Sequence, residues 1–132
     1  MTDYMQVAID QAKIAERKGE VPIGAVIVRG DKVIAKAHNM RERKQSALAH
    51  AEVLAIKKAC RKLRSWRLED CVMYVTLEPC AMCMGALVNA RIKKVVYGAK
   101  SETDLNWKVD TEFLGREECG SMLKEFFSSK RV

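Results

Sequence analysis

The residues that could do chemistry are His50-Ala51-Glu52 and Pro79-Cys80-Ala81-Met82-Cys83. Taken singly, each has a bland reading. A histidine is usually a satisfied polar residue, a buried cysteine a small hydrophobe, and a helical glutamate a surface charge. Together they fit a metal. Cys80 and Cys83 are three apart, so on the first turn of a helix their sulfurs face the same side. Helix N-terminal amides favour thiolate over thiol. His50 supplies a third ligand from the start of another helix. A tetrahedral Zn²⁺ with three protein ligands keeps its fourth position open, as catalytic zinc does and structural zinc does not. Water there ionises near neutral pH.

Glu52 lies two residues past His50 and need not be a ligand. It can instead stand beside that water and carry its proton. The order His-x-Glu…Pro-Cys-x-x-Cys is the signature of zinc deaminases. A structural zinc ribbon would need a fourth ligand, and Cys60, Cys71 and Cys119 form no second close pair.

These residues need elements to hold them. Thr2 or Asp3 can cap a first helix to about Lys18, with a stripe of Val7, Ala8, Ile14 and Ala15 and a stop at Gly19. Ala25–Val28 and Lys32–Ala35 across Gly30-Asp31 read as a hairpin whose second strand ends near His38-Asn39. Met40–Ala47 reads as loop. Leu48–Leu63 is a helix with Leu54, Ile56, Ala59 and Leu63 as buried candidates. Val72–Thr76 is a strand. Pro79 suits a helix start, so Ala81–Ala90 is a short helix, followed by strand Val95–Tyr97. Lys108–Phe113 is a candidate last strand. Arg116–Phe127 closes the chain, with Cys119, Met122, Leu123, Phe126 and Phe127 as its core. Strands alternating with helices predict an α/β fold with helices packed on a sheet.

Composition narrows the class. The chain has 132 residues, 48% of them apolar and 31% charged. It is expected to form one domain over residues 1–132, neither disordered nor membrane-spanning. Met1–Met5 lacks a basic, apolar leader, and five unevenly spaced cysteines do not suit a disulfide framework. A reduced, cytoplasmic setting follows as the expectation. The net charge of +7 is concentrated. Twelve basic and three acidic residues fall between Arg29 and Arg67, a net of +9. That suggests an anionic partner such as nucleic acid, or else a solvated face. Arg41, Arg43 and Lys44, just after Asn39, are the best candidates for phosphate contact.

The chain also resembles the bacterial tRNA-specific adenosine deaminases of the cytidine deaminase superfamily. The matching stretches include Glu20–Val26, His38-Asn39, Ala49–Glu52, Ser65–Leu68, Tyr74–Cys83, Arg91–Ala99 and Glu118–Phe127. The resemblance implies a three-layer α/β/α cytidine-deaminase-like sandwich with a mixed sheet. It implies conversion of adenosine to inosine at the wobble position of a tRNA anticodon loop, by a homodimer. By the same carry-over Asn39 bonds the flipped base, and Val21, Ile23 and Leu77 line its pocket. The bland reading of those three is ordinary core.

Two departures stand out. Where the family has Asp-Pro-Thr before Ala-His-Ala-Glu, this chain has Ser46-Ala47-Leu48, which lacks the proline that fixes φ. The link Lys100–Trp107 is also much shorter than the family's. A parallel crossover needs a dozen or more residues, so the last strand is expected to be antiparallel or missing. A shortened groove keeps other substrates open: a free base or nucleoside such as guanine, cytosine or cytidine, or single-stranded DNA. From another class, the fold could serve as a binding module without turnover.

Overall fold

The structure, a computed structural model, describes residues 2–101 and 109–129. Helix α1 (Tyr4–Arg17) begins where the Asp3 carboxylate accepts the Gln6 N–H, an N-cap that satisfies one orphan amide. Its buried stripe is Met5, Ala8, Ile9, Ala12 and Ala15, so Val7 and Ile14 fall on its shoulders. Gly19 turns the chain with φ of +76°. Strands β1 (Gly24–Arg29) and β2 (Lys32–His38) form the expected hairpin.

Asn39 leads into a one-turn helix, α2 (Arg41–Lys44), where a loop was expected. Helix α3 (Ala51–Leu63) starts three residues later than the pattern suggested, with His50 as its N-cap. Its fully buried face is Ala51, Glu52, Ala55 and Ala59. Leu54, Ile56 and Leu63 are only partly buried against the core. Strand β3 (Cys71–Leu77), helix α4 (Ala81–Asn89), strands β4 (Lys94–Ala99) and β5 (Asp110–Phe113), and helix α5 (Glu117–Ser129) complete the order.

The sheet runs β2-β1-β3-β4-β5. Strand β1 is antiparallel to both its neighbours, and β3 and β4 are parallel, so the sheet is mixed. Side chains alternate between its faces. Ile27, Met73, Val75 and Val95 pack on α3 and α4. Val26, Val28 and Val96 pack on α1 and α5. This is the expected three-layer sandwich.

The last strand corrects an expectation. β5 is present and parallel to β4, with Lys94 opposite Asp110 and Tyr97 opposite Phe113. Lys108, the expected first residue of that strand, lies outside the described residues, as does most of the Lys100–Trp107 link. The length rule misled because it counts a helix into the crossover. From Ala99 back to the level of Lys94 is five strand steps, about 17 Å. The ten intervening residues can reach about 33 Å, so the return needs no helix.

Candidate active site

The start of α3 and the start of α4 meet at one end of the sheet. His50 Nδ1 lies 3.5 Å from Cys83 Sγ and 3.8 Å from Cys80 Sγ. Ligands on a tetrahedral Zn²⁺, with bonds of about 2.3 Å to sulfur and 2.0 Å to nitrogen, would stand about 3.6 Å apart. All three ligand atoms lie within 4.8 Å of one another, and the group could hold a metal ion. Cys80 is the N-cap of α4 and Cys83 its third residue. Their sulfurs converge as the spacing required.

Glu52, 4% exposed, sits against this trio. Its Oε1 is buried without a hydrogen-bond partner among the described residues. Burial raises its pKa above the ordinary carboxylate range. Burial, and then the neighbouring Glu52 and Cys80, push the Cys83 thiol well up. Burial, and then the Arg41 charge, hold the His50 imidazole below its usual value. A carboxylate and a thiol packed together this way are poorly compensated. A divalent cation among them would supply the missing opposite charge and meet a neutral imidazole lone pair. The donor set therefore fits a zinc ion.

A cavity of about 360 Å³ opens in front of these groups. His50 and Glu52 form its floor, and Val21, Ile23, Asn39, Arg41 and Leu77 stand in its walls. All five wall residues were singled out from the sequence. Asn39 is buried, and its Oδ1 accepts the Arg41 N–H at 3.3 Å. Arg43 and Lys44 are not among the lining residues. They stand exposed on α2, beside the mouth.

Four contributors escaped the sequence reading. Ser101, Leu123 and Phe127 line the same cavity. Leu123 and Phe127 were expected in the core, yet only Cys119 and Met122 of α5 are buried, and Phe127 is 49% exposed. The helical period fits either assignment. The fourth is Glu20, 1% exposed. Its two carboxylate oxygens accept the N–H groups of Glu42 and Arg43 at 3.1 and 2.8 Å and so anchor α2. A buried acid in the Glu20–Gly24 turn gave no periodic signal.

The chain matches the MafB19-like deaminase family over residues 1–131. It is 49% identical to the tRNA-specific adenosine deaminase of Bacillus subtilis, covering 97% of this chain and 89% of that one. It is 45% identical to the tRNA-specific adenosine deaminase of Aquifex aeolicus, covering 97% and 94%. The chain belongs to the tRNA-specific adenosine deaminase family. A solved structure from work on A-to-I editing by tRNA:A34 deaminases superimposes with a TM-score of 0.84 at 34% identity, covering 91% of this chain and 98% of that one. Guanine deaminase from Bacillus subtilis is also similar, with a TM-score of 0.71 at 39% identity over 76% of this chain. The Bacillus subtilis tRNA-specific adenosine deaminase aligns over 143 positions, so this 132-residue family member lacks at least eleven that its relative has.

Proposed function

We propose that the chain is a zinc-dependent hydrolase that converts adenosine to inosine at the wobble position of a tRNA anticodon loop. His50, Cys80 and Cys83 hold Zn²⁺, and Glu52 carries the protons. When bound, the metal supplies Lewis acidity that makes water a nucleophile at neutral pH. Glu52 takes a proton from the attacking water and passes it to the ring nitrogen beside the carbon under attack. It then moves the remaining proton from the hydroxyl now on that carbon to the departing amine, so the carbonyl forms, the carbon–nitrogen bond breaks and ammonia leaves. The observation that carries this reading is the unpartnered Oε1 of a buried Glu52, set against the ligand trio and facing a base-sized cavity.

Asn39, with its oxygen taken by the backbone, addresses the base as a donor. Val21, Ile23 and Leu77 clasp its faces. Arg41, Arg43 and Lys44 take the flanking phosphates. A base already splayed from a single-stranded loop enters such a pocket at low cost. The protein acts in the cytoplasm as a homodimer. Helix α4 supports the pairing, because Met82, Gly85, Ala86 and Val88 leave an uncharged face partly exposed. No helix among the described residues is long and apolar enough to cross a membrane.

The similarity to a guanine deaminase favours a second reading, hydrolysis of a free base. One assay separates the two. Inosine is measured in an anticodon stem-loop beside ammonia release from free adenosine, guanine and cytidine. Product in the stem-loop alone supports the proposal, and turnover of a free base alone overturns it. Sedimentation of the holoenzyme at assay concentration tests the dimer.

A further inference from the structure

The basic stretch that ends at Arg67 has a second half far from the cavity. Lys57 to Arg67 runs down α3 and past its end, and α3 is about 20 Å long. At that far end Trp66 is 55% exposed. The Arg67 guanidinium lies 4.8 Å from its ring centroid and the Arg91 guanidinium 5.8 Å. The two loops that carry them are tied together. Leu68 N–H donates to Ala90 O at 2.8 Å, and Lys93 N–H donates to Cys71 O at 3.0 Å. Ser65 Oγ accepts the Arg67 N–H at 3.1 Å, which fixes the tryptophan loop. Arg64 and Lys93 are exposed on the same end.

Part of this has an ordinary cause. The C-terminal ends of α3 and α4 point here, and cations stabilise helix C-termini. The Glu69 carboxylate also takes one contact from Arg67, at 3.0 Å. The Arg91 guanidinium likewise donates to Val88 O at 3.1 Å, yet none of these accounts for an exposed indole with two guanidiniums packed on it. Cation–π contact keeps such arginines in a fixed attitude, and planar guanidiniums bind phosphate through paired N–H groups.

We propose that Arg64, Trp66, Arg67, Arg91 and Lys93 form a second RNA-binding surface, which grips the phosphate backbone of the substrate outside the anticodon loop. This rests on the proposed tRNA activity and extends it. The cavity would read the loop while the distal patch holds the body of the molecule.

The test uses the holoenzyme with full-length tRNA and with the isolated anticodon stem-loop. In R64Q/R91Q and in Trp66→Ala, Kd and KM for full-length tRNA should rise about tenfold with kcat unchanged. The slope of log Kd against log salt should fall by about one per lost contact. Stem-loop binding and turnover should not change. Equal effects on both RNAs, or none on either, overturn the proposal. So does a dimer that dissociates in the variants, which would make the patch an interface between copies. Failure of the wild type to make inosine in either RNA faults the proposed function instead, since Kd tests the patch separately.

Discussion

The catalytic corner and the mouth of the cavity are built on different plans. His50, Glu52, Cys80 and Cys83 come from two short motifs at two helix starts: Glu52 and Cys83 lie within α3 and α4, and His50 and Cys80 are the N-caps of those helices. The mouth is assembled from four distant places: the Glu20–Gly24 turn, α2, Ser101 and α5. Glu52 and Cys83 in the corner are buried, His50 and Cys80 half-buried, and the corner carries unbalanced polar groups. The mouth is half-exposed and held by hydrogen bonds to backbone. On the proposed roles, reaction chemistry is compact in sequence, and recognition is spread along it.

The largest test breaks the corner and spares the mouth. Glu52→Gln should cut turnover about 10²–10⁴-fold, the range for losing a positioned acid–base group. Metal content by elemental analysis and KM should stay near the wild-type values. Chelation should come next. A site filled at a thousand times its Kd stabilises the fold by about 4 kcal/mol. Stripped protein should melt correspondingly lower and recover on adding Zn²⁺.

Two substitutions disturb the mouth instead. A Cβ at Gly98 would stand 2.5 Å from Cys119 Sγ and 3.3 Å from Thr76 O. Gly98→Ala should therefore push α5 off β4, at about 1–3 kcal/mol. KM should rise more than kcat falls, because Leu123 and Phe127 ride on α5. Glu20→Gln keeps one acceptor for α2 and should cost about 1 kcal/mol. A several-fold rise in KM, with metal content intact, is the expected signature. If either variant lost metal before it lost affinity, the division between corner and mouth would be wrong.

The smallest test leaves activity untouched. Burial is the main cause that raises the Cys71 and Cys119 thiols to about 11. At pH 8 little thiolate is present, since a raised pKa favours the neutral thiol. Alkylation of both, followed by mass spectrometry, should run about 100-fold slower than for a free cysteine.

The same contrast explains what was legible beforehand. The convergence of His50, Cys80, Cys83 and Glu52 was readable because spacing of two and three residues has a definite geometric meaning on a helix. The hairpin followed from alternation and turn residues, and the mixed sheet from family resemblance. Val21, Ile23, Leu77 and Asn39 came from family resemblance, because an apolar residue in a cavity wall looks like core. Phe127 and Leu123 were assigned to the core for the same reason. Glu20 was unreadable because its partners are backbone amides more than twenty residues away. The parallel β5 was missed because a typical crossover length stood in for the distance the chain has to cover.

That short crossover has a consequence for how the family can vary. Before it starts, Glu78 donates its N–H to Ala99 O, and its carboxylate accepts the N–H and hydroxyl of Ser101. After it ends, Leu114 and Arg116 donate to the carbonyls of Tyr97 and Gly98. Both ends are thus clamped to the strands that carry the site, next to Pro79 and Cys80. Residues can be gained or lost between the clamps without shifting a proposed metal ligand. Changes in the length of this link are thereby buffered from the proposed hydrolytic machinery.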